Sequence, residues 1–227
     1  MNYSFQFREV WQSWDELLWG VIHTLQLSGL AMAMGLVIAI ICAAARMSDS
    51  KSLHWVVTAY VEAIRNTPLL IQVFLIFFGL PSLGLRLSSD QAALIALTVN
   101  VGAYTTEIVR AGIESIPRGQ IEAGQALGLK RWQIFRKVEL FQALSAIFPS
   151  LSSQFILLLL ASSIMSAVGA TELTGAANDI QSRTFRSFEV YIVATGLYFL
   201  MALGFSFFFH LIEKHYFRRH HQSRSQA

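Results

Sequence analysis

Residues 117–149 read PRGQIEAGQALGLKRWQIFRKVELFQALSAIFP. This stretch carries Arg118, Glu122, Lys130, Arg131, Arg136, Lys137 and Glu139 between two prolines, whereas the chain on either side is mostly apolar and long enough to live in lipid. The stretch itself is too charged to do so. A membrane protein with one sizeable amphipathic loop is expected to place its working contact there.

Composition points to a membrane protein. Of 227 residues, 54% are hydrophobic and 14% charged, with 17 Phe and 5 Trp, too apolar for an ordinary soluble domain. A span takes about 20 apolar residues, and the length left after the loop and tails holds about five. The expected class is an all-α integral membrane protein with about five transmembrane helices. One bilayer domain, 20–213, follows an interfacial segment, 1–19, and precedes a basic tail, 214–227. Cys42 is the only cysteine and lies in an apolar run, so neither a disulfide framework nor a thiolate metal cluster is expected. A net charge of +3 is too diffuse to indicate nucleic acid.

Residues 1–19 lack the basic start of a cleaved signal. Val10, Trp11, Trp14, Leu17 and Leu18 recur at helical spacing, which predicts a short helix lying in the membrane interface, with a plain solvated tail as the alternative reading. Spans are expected over 21–45, 68–80, 91–109, 147–168 and 190–212, with a polar stretch at 171–187. In the first span, Gly29, Ala33, Ala39 and Ala43 fall in small-xxx-small pairs that admit a close neighbour. Thr67-Pro68 reads as either a helix start or a kink. Positive residues favour the cytoplasmic side. Five spans put 13 of the 17 Lys and Arg on the side of the 117–149 loop and the C-terminus, leaving Arg8, Arg86, Arg183 and Arg186 opposite. The N-terminus is therefore expected outside and the loop inside.

Within the loop, Pro117 ends a helix and Gly119–Leu127 has the composition of a short one, closed by Gly128 as its C-cap. Its small residues, Ala123, Gly124 and Ala126, suit close approach to another protein. From Lys130 a second amphipathic helix is predicted, with Trp132, Phe135 and Val138 at three-residue spacing. Arg131, Arg136 and Lys137 are left to meet water or lipid phosphate, and Pro149 limits the helix. Periodicity alone leaves open whether the loop is a docking element or an interfacial elbow.

The residues Glu122-Ala123-Gly124, then Gly128, then Val138-Glu139-Leu140-Phe141 resemble the EAA signature of permease subunits of binding-protein-dependent ABC importers. Glutamate, the first alanine, glycine and leucine are in register; Gly124, Val138 and Phe141 depart from the usual form, Phe141 replacing a proline. Arg65-Asn66-Thr67-Pro68-Leu69-Leu70-Ile71-Gln72, the run 103–112 and Ala170-Thr171-Glu172-Leu173-Thr174 are similar to the polar amino acid branch, the histidine, glutamine and glutamate/aspartate permeases. The resemblance covers about 18–213.

That resemblance implies the type I ABC importer permease fold, in a bacterial inner membrane. The loop between helices 3 and 4 would be a coupling helix seated in a cytoplasmic ATPase, with Glu122, Ala123, Gly124, Gly128, Leu129 and Arg131 as its contact residues. Implied partners are two ATP-binding subunits, a second permease and a periplasmic binding protein, besides membrane lipid. The chain contains no G-x-x-x-x-G-K-[ST] phosphate loop. No catalytic residue, metal or cofactor of its own is expected; ATP and Mg would be used by the partner ATPase.

Polar residues inside spans are costly in lipid and mark candidate transport-path positions. Asn100 and Glu107 are two turns apart on one helix face, and Gln154, Ser162, Ser163 and Ser166 punctuate the fourth span. Two plainer readings stand beside this one: Glu107 pairs with Arg110 at i+3, and the serines bond helix backbone. Where the branch commonly carries a charged pair before Thr/Ser-Ser, this chain has Leu160-Ala161-Ser162-Ser163, which favours pairing with a second, non-identical permease. An intramembrane enzyme finds no H-E-x-x-H here, and a self-sufficient channel or secondary transporter finds no obvious internal repeat of the kind secondary transporters use.

Overall fold

The computed structural model describes residues 4–48 and 50–217, and every regular element among them is helical. Arg218, Arg219 and Arg224 of the basic tail lie outside the described residues. A short α1 (Arg8–Gln12) leads into α2 (Trp14–Arg46), which at about 1.5 Å per residue is about 50 Å long and exceeds the ~30 Å hydrocarbon thickness. The residues expected to form one interfacial helix are thus shared between two, and Val10 and Leu17 are buried rather than lipid-facing.

Among the described residues, four helical stretches are long and apolar enough to cross a membrane: Trp14–Arg46, Ser89–Glu114, Arg131–Val168 and Ser187–Tyr216. A fifth span exists only as a pair, α3 (Lys51–Arg65) and the run Leu69–Leu83 that opens with α4 (Leu69–Phe74), bent by 107°. Pro68 both breaks and restarts the helix: its φ of −65° suits a helix entry, but it has no N–H to continue α3. By itself Leu69–Leu83 is about 22 Å long, too short to cross.

The centre of the molecule is α2 packed along α5 (Ser89–Glu114), capped by a Ser88–Gln91 capping box. The face of α2 that enters the core steps through Gly20, Thr24, Ser28, Ala31, Gly35, Ala39 and Ala43 at intervals of three and four. Ala39 and Ala43 were expected there. Gly29 and Ala33 were not correctly placed: Gly29 meets nothing within 4 Å and Ala33 is exposed, because both fall off this stripe. A Cβ at Gly35 would overlap the Val101 side chain, so the two backbones approach as closely as glycine allows.

After α5 come α6 (Arg118–Ala126), α7 (Arg131–Ile134), a π turn (Phe135–Glu139) and α8 (Leu140–Ala161), closed by 3-10 turns at Ser162–Val168. Pro149 does not delimit a helix as expected; it lies inside α8. In a spanning helix the lost N–H is tolerated, and the Ser152 and Ser153 hydroxyls donate to Phe148 O (2.8 Å) and Pro149 O (3.0 Å) around it. The polar 171–187 stretch holds a twelve-residue helix, α9 (Leu173–Thr184), before α10 (Ser187–Ile212).

Candidate functional site

The loop that follows α5 is built on α6. Pro117, at φ −61°, precedes its first turn, and the helix closes with both bonds of a Schellman motif: Gly128 N–H donates to Gln125 O (2.9 Å) and Leu129 N–H to Gly124 O (3.1 Å). Gly128 adopts φ +74°, and a Cβ there would meet nothing within 4 Å. Its requirement for glycine within this chain is conformational, not a matter of space.

Gly124 is buried on Ile134, where an added Cβ would stand 3.1 Å from Cγ1. This contact marks the inward side of α6. Gln142 Nε2 donates to Gln120 Oε1 (2.6 Å) and to Val138 O (2.8 Å), fastening α6 to the start of α8. Arg131 bonds the buried carboxylate of Glu139 and so ties α7 to the π turn. Arg131 is therefore engaged with its own chain instead of being left to water, although its side chain stays 63% exposed.

The opposite side of α6 is bare. Glu122, Ala123 and Gly128 are exposed, Leu127 is 80% exposed and Trp132 64%, its ring stacked on Phe135 at 5.8 Å. The stripe Trp132, Phe135, Val138 is not the inward face; Ile134 and Glu139 are, because the π turn shifts the register. Of the six loop residues named from the sequence, Glu122, Ala123 and Gly128 lie on the open surface, Leu129 is half-buried, Gly124 faces inward and Arg131 braces the loop. The bracing residues Gln120, Ile134, Glu139 and Gln142 were not named as contact residues; Glu139, already quoted among the loop's charges and in the Val138-Glu139-Leu140-Phe141 run, was the available signal.

Of the candidate path residues, Asn100, Glu107 and the three serines are engaged with partners within the chain. Asn100 Nδ2 donates to Gln72 Oε1 (2.9 Å), and Gln72 Nε2 donates to Ile64 O (2.8 Å), Thr67 O (3.1 Å) and Thr67 Oγ1 (3.0 Å). This network satisfies carbonyls left open at the α3–α4 bend and fixes the bend to α5, as irregular backbone at membrane depth requires. Glu107 takes Arg46 from α2 as well as Arg110 (2.9 Å), and Arg110 also reaches Glu114 (2.6 Å). Arg65 lies over the Tyr104 ring at 5.4 Å nearby.

Ser162, Ser163 and Ser166 donate to Leu159 O, Leu160 O and Ser163 O at 2.7–2.8 Å. Gln154 is half-buried on α8. Ser166 also lines a cleft of about 330 Å³ with Glu16, Trp19, His23, Thr171 and Asp179, at the end of the molecule away from α6.

That end is organised by Glu172, 1% exposed, whose carboxylate accepts from Thr174 N–H and Gly175 N–H (2.8 Å each) and from Tyr198 OH (2.6 Å). Leu173 N–H donates to Thr24 Oγ1 of α2 (3.0 Å), and Thr171 N–H to Asp90 of α5 (2.9 Å). Burial pushes the Glu172 carboxyl above the ordinary carboxylate range, and the bonds from Tyr198, Thr174 and Gly175 pull it back.

A family model described as the binding-protein-dependent transport system inner membrane component matches residues 35–218. The chain is 39% identical over 202 residues to the L-cystine transport system permease protein TcyB of Bacillus subtilis (strain 168), covering 88% of this chain and 86% of that one. It is 38% identical over 195 residues to the probable glutamine ABC transporter permease protein GlnM of the same organism, covering 86% and 90%. Among solved structures, one titled "Crystal structure of an amino acid ABC transporter with histidines" matches with TM-score 0.87 and 38% identity, over 93% of this chain and 99% of that one.

Proposed function

For a chain that belongs to the inner membrane components of binding-protein-dependent transport systems, and is a permease of an amino acid ABC importer rather than an enzyme, we propose the following division of labour. The chain forms half of a translocation path for a polar amino acid such as glutamine, histidine or glutamate/aspartate. A second, non-identical permease forms the other half, two cytoplasmic ATP-binding subunits use ATP and Mg, and a periplasmic binding protein delivers the cargo. The N-terminus faces outside and the α6 loop inside.

One observation carries the reading: α6 is braced on one side by Gly124–Ile134 and Gln120–Gln142, behind which Arg131–Glu139 ties α7 to the π turn, and is bare on the other, where Glu122, Ala123 and Leu127 lie. A helix held in this way transmits a push. Closure of the ATP-binding subunits would move α6, and α8 with it, switching the path between inward and outward access. Leu160 and Ala161, standing where the branch commonly has a charged pair, support the unequal partnership.

The test is purification and uptake. Vanadate-sensitive uptake that requires an ATPase, with an ATP-binding subunit co-purifying, is expected for the parent chain and lost in Gly128→Arg. Intact co-purification and uptake in Gly128→Arg would remove α6 from the contact. Transport competence from this permease alone would contradict the unequal pairing.

A further inference from the structure

We infer that Phe185, at the turn between α9 and α10, is a membrane anchor whose ring enters the acyl-chain boundary of the bilayer. Among the described residues it alone has a left-handed backbone without being glycine, at φ 56° and ψ 26°. Glycine or asparagine ordinarily closes a helix in this way, and a bulky aromatic there is strained. The turn is held by Phe185 N–H donating to Gln181 O (2.8 Å) and Arg186 N–H donating to Thr184 Oγ1 (3.3 Å). Both flanking arginines fold back onto the chain, Arg183 to Glu16 and Arg186 to Gln6. The ring is left 83% exposed. The bonds that hold the turn engage its backbone and its arginines, and none of them covers the ring.

Lipid is the occupant that fits. Phe188, Ile192, Phe199, Leu203, Phe207 and Leu211 are all exposed and follow one another at steps of four or seven, a single stripe down α10. Only 6% of the most apolar window of that span is buried in the molecule. Twenty-six residues of α10 reach about 39 Å, against a hydrocarbon thickness of about 30 Å, so the helix is long enough to bring its first turn to the water–lipid boundary. Phe185 lies in the turn just before Phe188, the first residue of that stripe, at the depth where aromatic rings favour the interface. Beside it runs a groove of about 460 Å³ lined by Ser187, Phe188, Tyr191, Ile192 and Thr195, carrying no charge, with Tyr191 fixed by its hydroxyl to Asn178 (2.7 Å).

The test places a reporter at the turn. Phe185→Trp, assembled with the subunits it purifies with, is reconstituted into phosphatidylcholine brominated near the head of the acyl chains. Its emission in excess of the parent chain, whose 5 tryptophans are common to both, should be quenched several-fold more by bromine than by aqueous acrylamide, and adding the binding protein should not alter this. Quenching by acrylamide alone overturns the anchor. So does bromine quenching that disappears on assembly or on adding the binding protein, which assigns the ring to a protein partner. A second variant, Phe185→Gly, relaxes the turn: it should melt at or above the parent in detergent, yet gain less in Tm than the parent when lipid is added. An equal gain would also overturn the proposal.

Discussion

The two ends of the molecule handle polar groups in opposite ways. At the α9 end, Glu172, Thr24 and Glu189 are fully buried, and the Glu172 carboxylate and Thr24 hydroxyl are bonded to backbone or side chains of other segments. At the α6 end, Glu122 and Ala123 are exposed and the helix is held by two contacts along one side, Gly124–Ile134 and Gln120–Gln142. Buried, satisfied polar groups are expensive to disturb, whereas exposed ones cost the fold almost nothing to change. The difference separates a part that keeps the bundle together from a part whose open face is, on the proposed reading, the one that meets another protein.

The largest expected effect is at the α9 end. Glu172→Ala leaves two backbone N–H groups and the Tyr198 hydroxyl without their acceptor, and should cost about 2–4 kcal/mol in thermal unfolding. Glu122→Ala, at the other end, should stay within about 0.5 kcal/mol of the parent while lowering ATP-driven uptake. Equal losses of stability from the two variants would erase the contrast.

Gly128 comes next. Its left-handed backbone should make Gly128→Ala cost about 1–2 kcal/mol and Gly128→Asn clearly less, since asparagine tolerates that conformation. If uptake follows stability through this series, strain explains the position. If Gly128→Asn is stable but uncoupled, closeness to a partner matters as well.

Smaller again is the Arg131–Glu139 brace. Arg131→Ala strands a buried carboxylate, but the arginine is mostly exposed, so a loss of about 1 kcal/mol is expected. Adding Glu139→Gln should return part of it, measured as a double-mutant cycle.

The smallest effect is in pH. The buried Glu172 carboxyl titrates above its unfolded value, so over that interval the folded chain binds a proton that the unfolded chain has lost. This contribution to stability is present at low pH, declines from about pH 4.3 upward through the folded value, and is constant beyond it. Glu172→Gln should flatten that decline in a series of melting curves.

What could be read in advance follows the range of the interactions. The α6 helix and its glycine closure were legible because the signal is local: a proline before it, small residues within it and Gly128 after it. The membrane spans were legible from apolar length, but not the 107° bend, since Thr67-Pro68 fits a start and a kink equally and the decision rests on Gln72 and Asn100, 28 residues apart. The α9 helix was missed because its composition is polar and its inward anchoring comes from a glutamate cap and from Thr24, 149 residues away. For the serines of the fourth span, backbone bonding was one of two open readings, and the hydroxyl geometry favours it.

The most direct test of α6 as a docking element is Leu127→Asp, a charge set on a side chain that is 80% exposed and does not support the fold. Purified in parallel with the parent, this variant should melt at the same temperature and fail to retain an ATP-binding subunit. Retention of that subunit at the parent's level, with uptake intact, would contradict the assignment of α6 as the coupling contact.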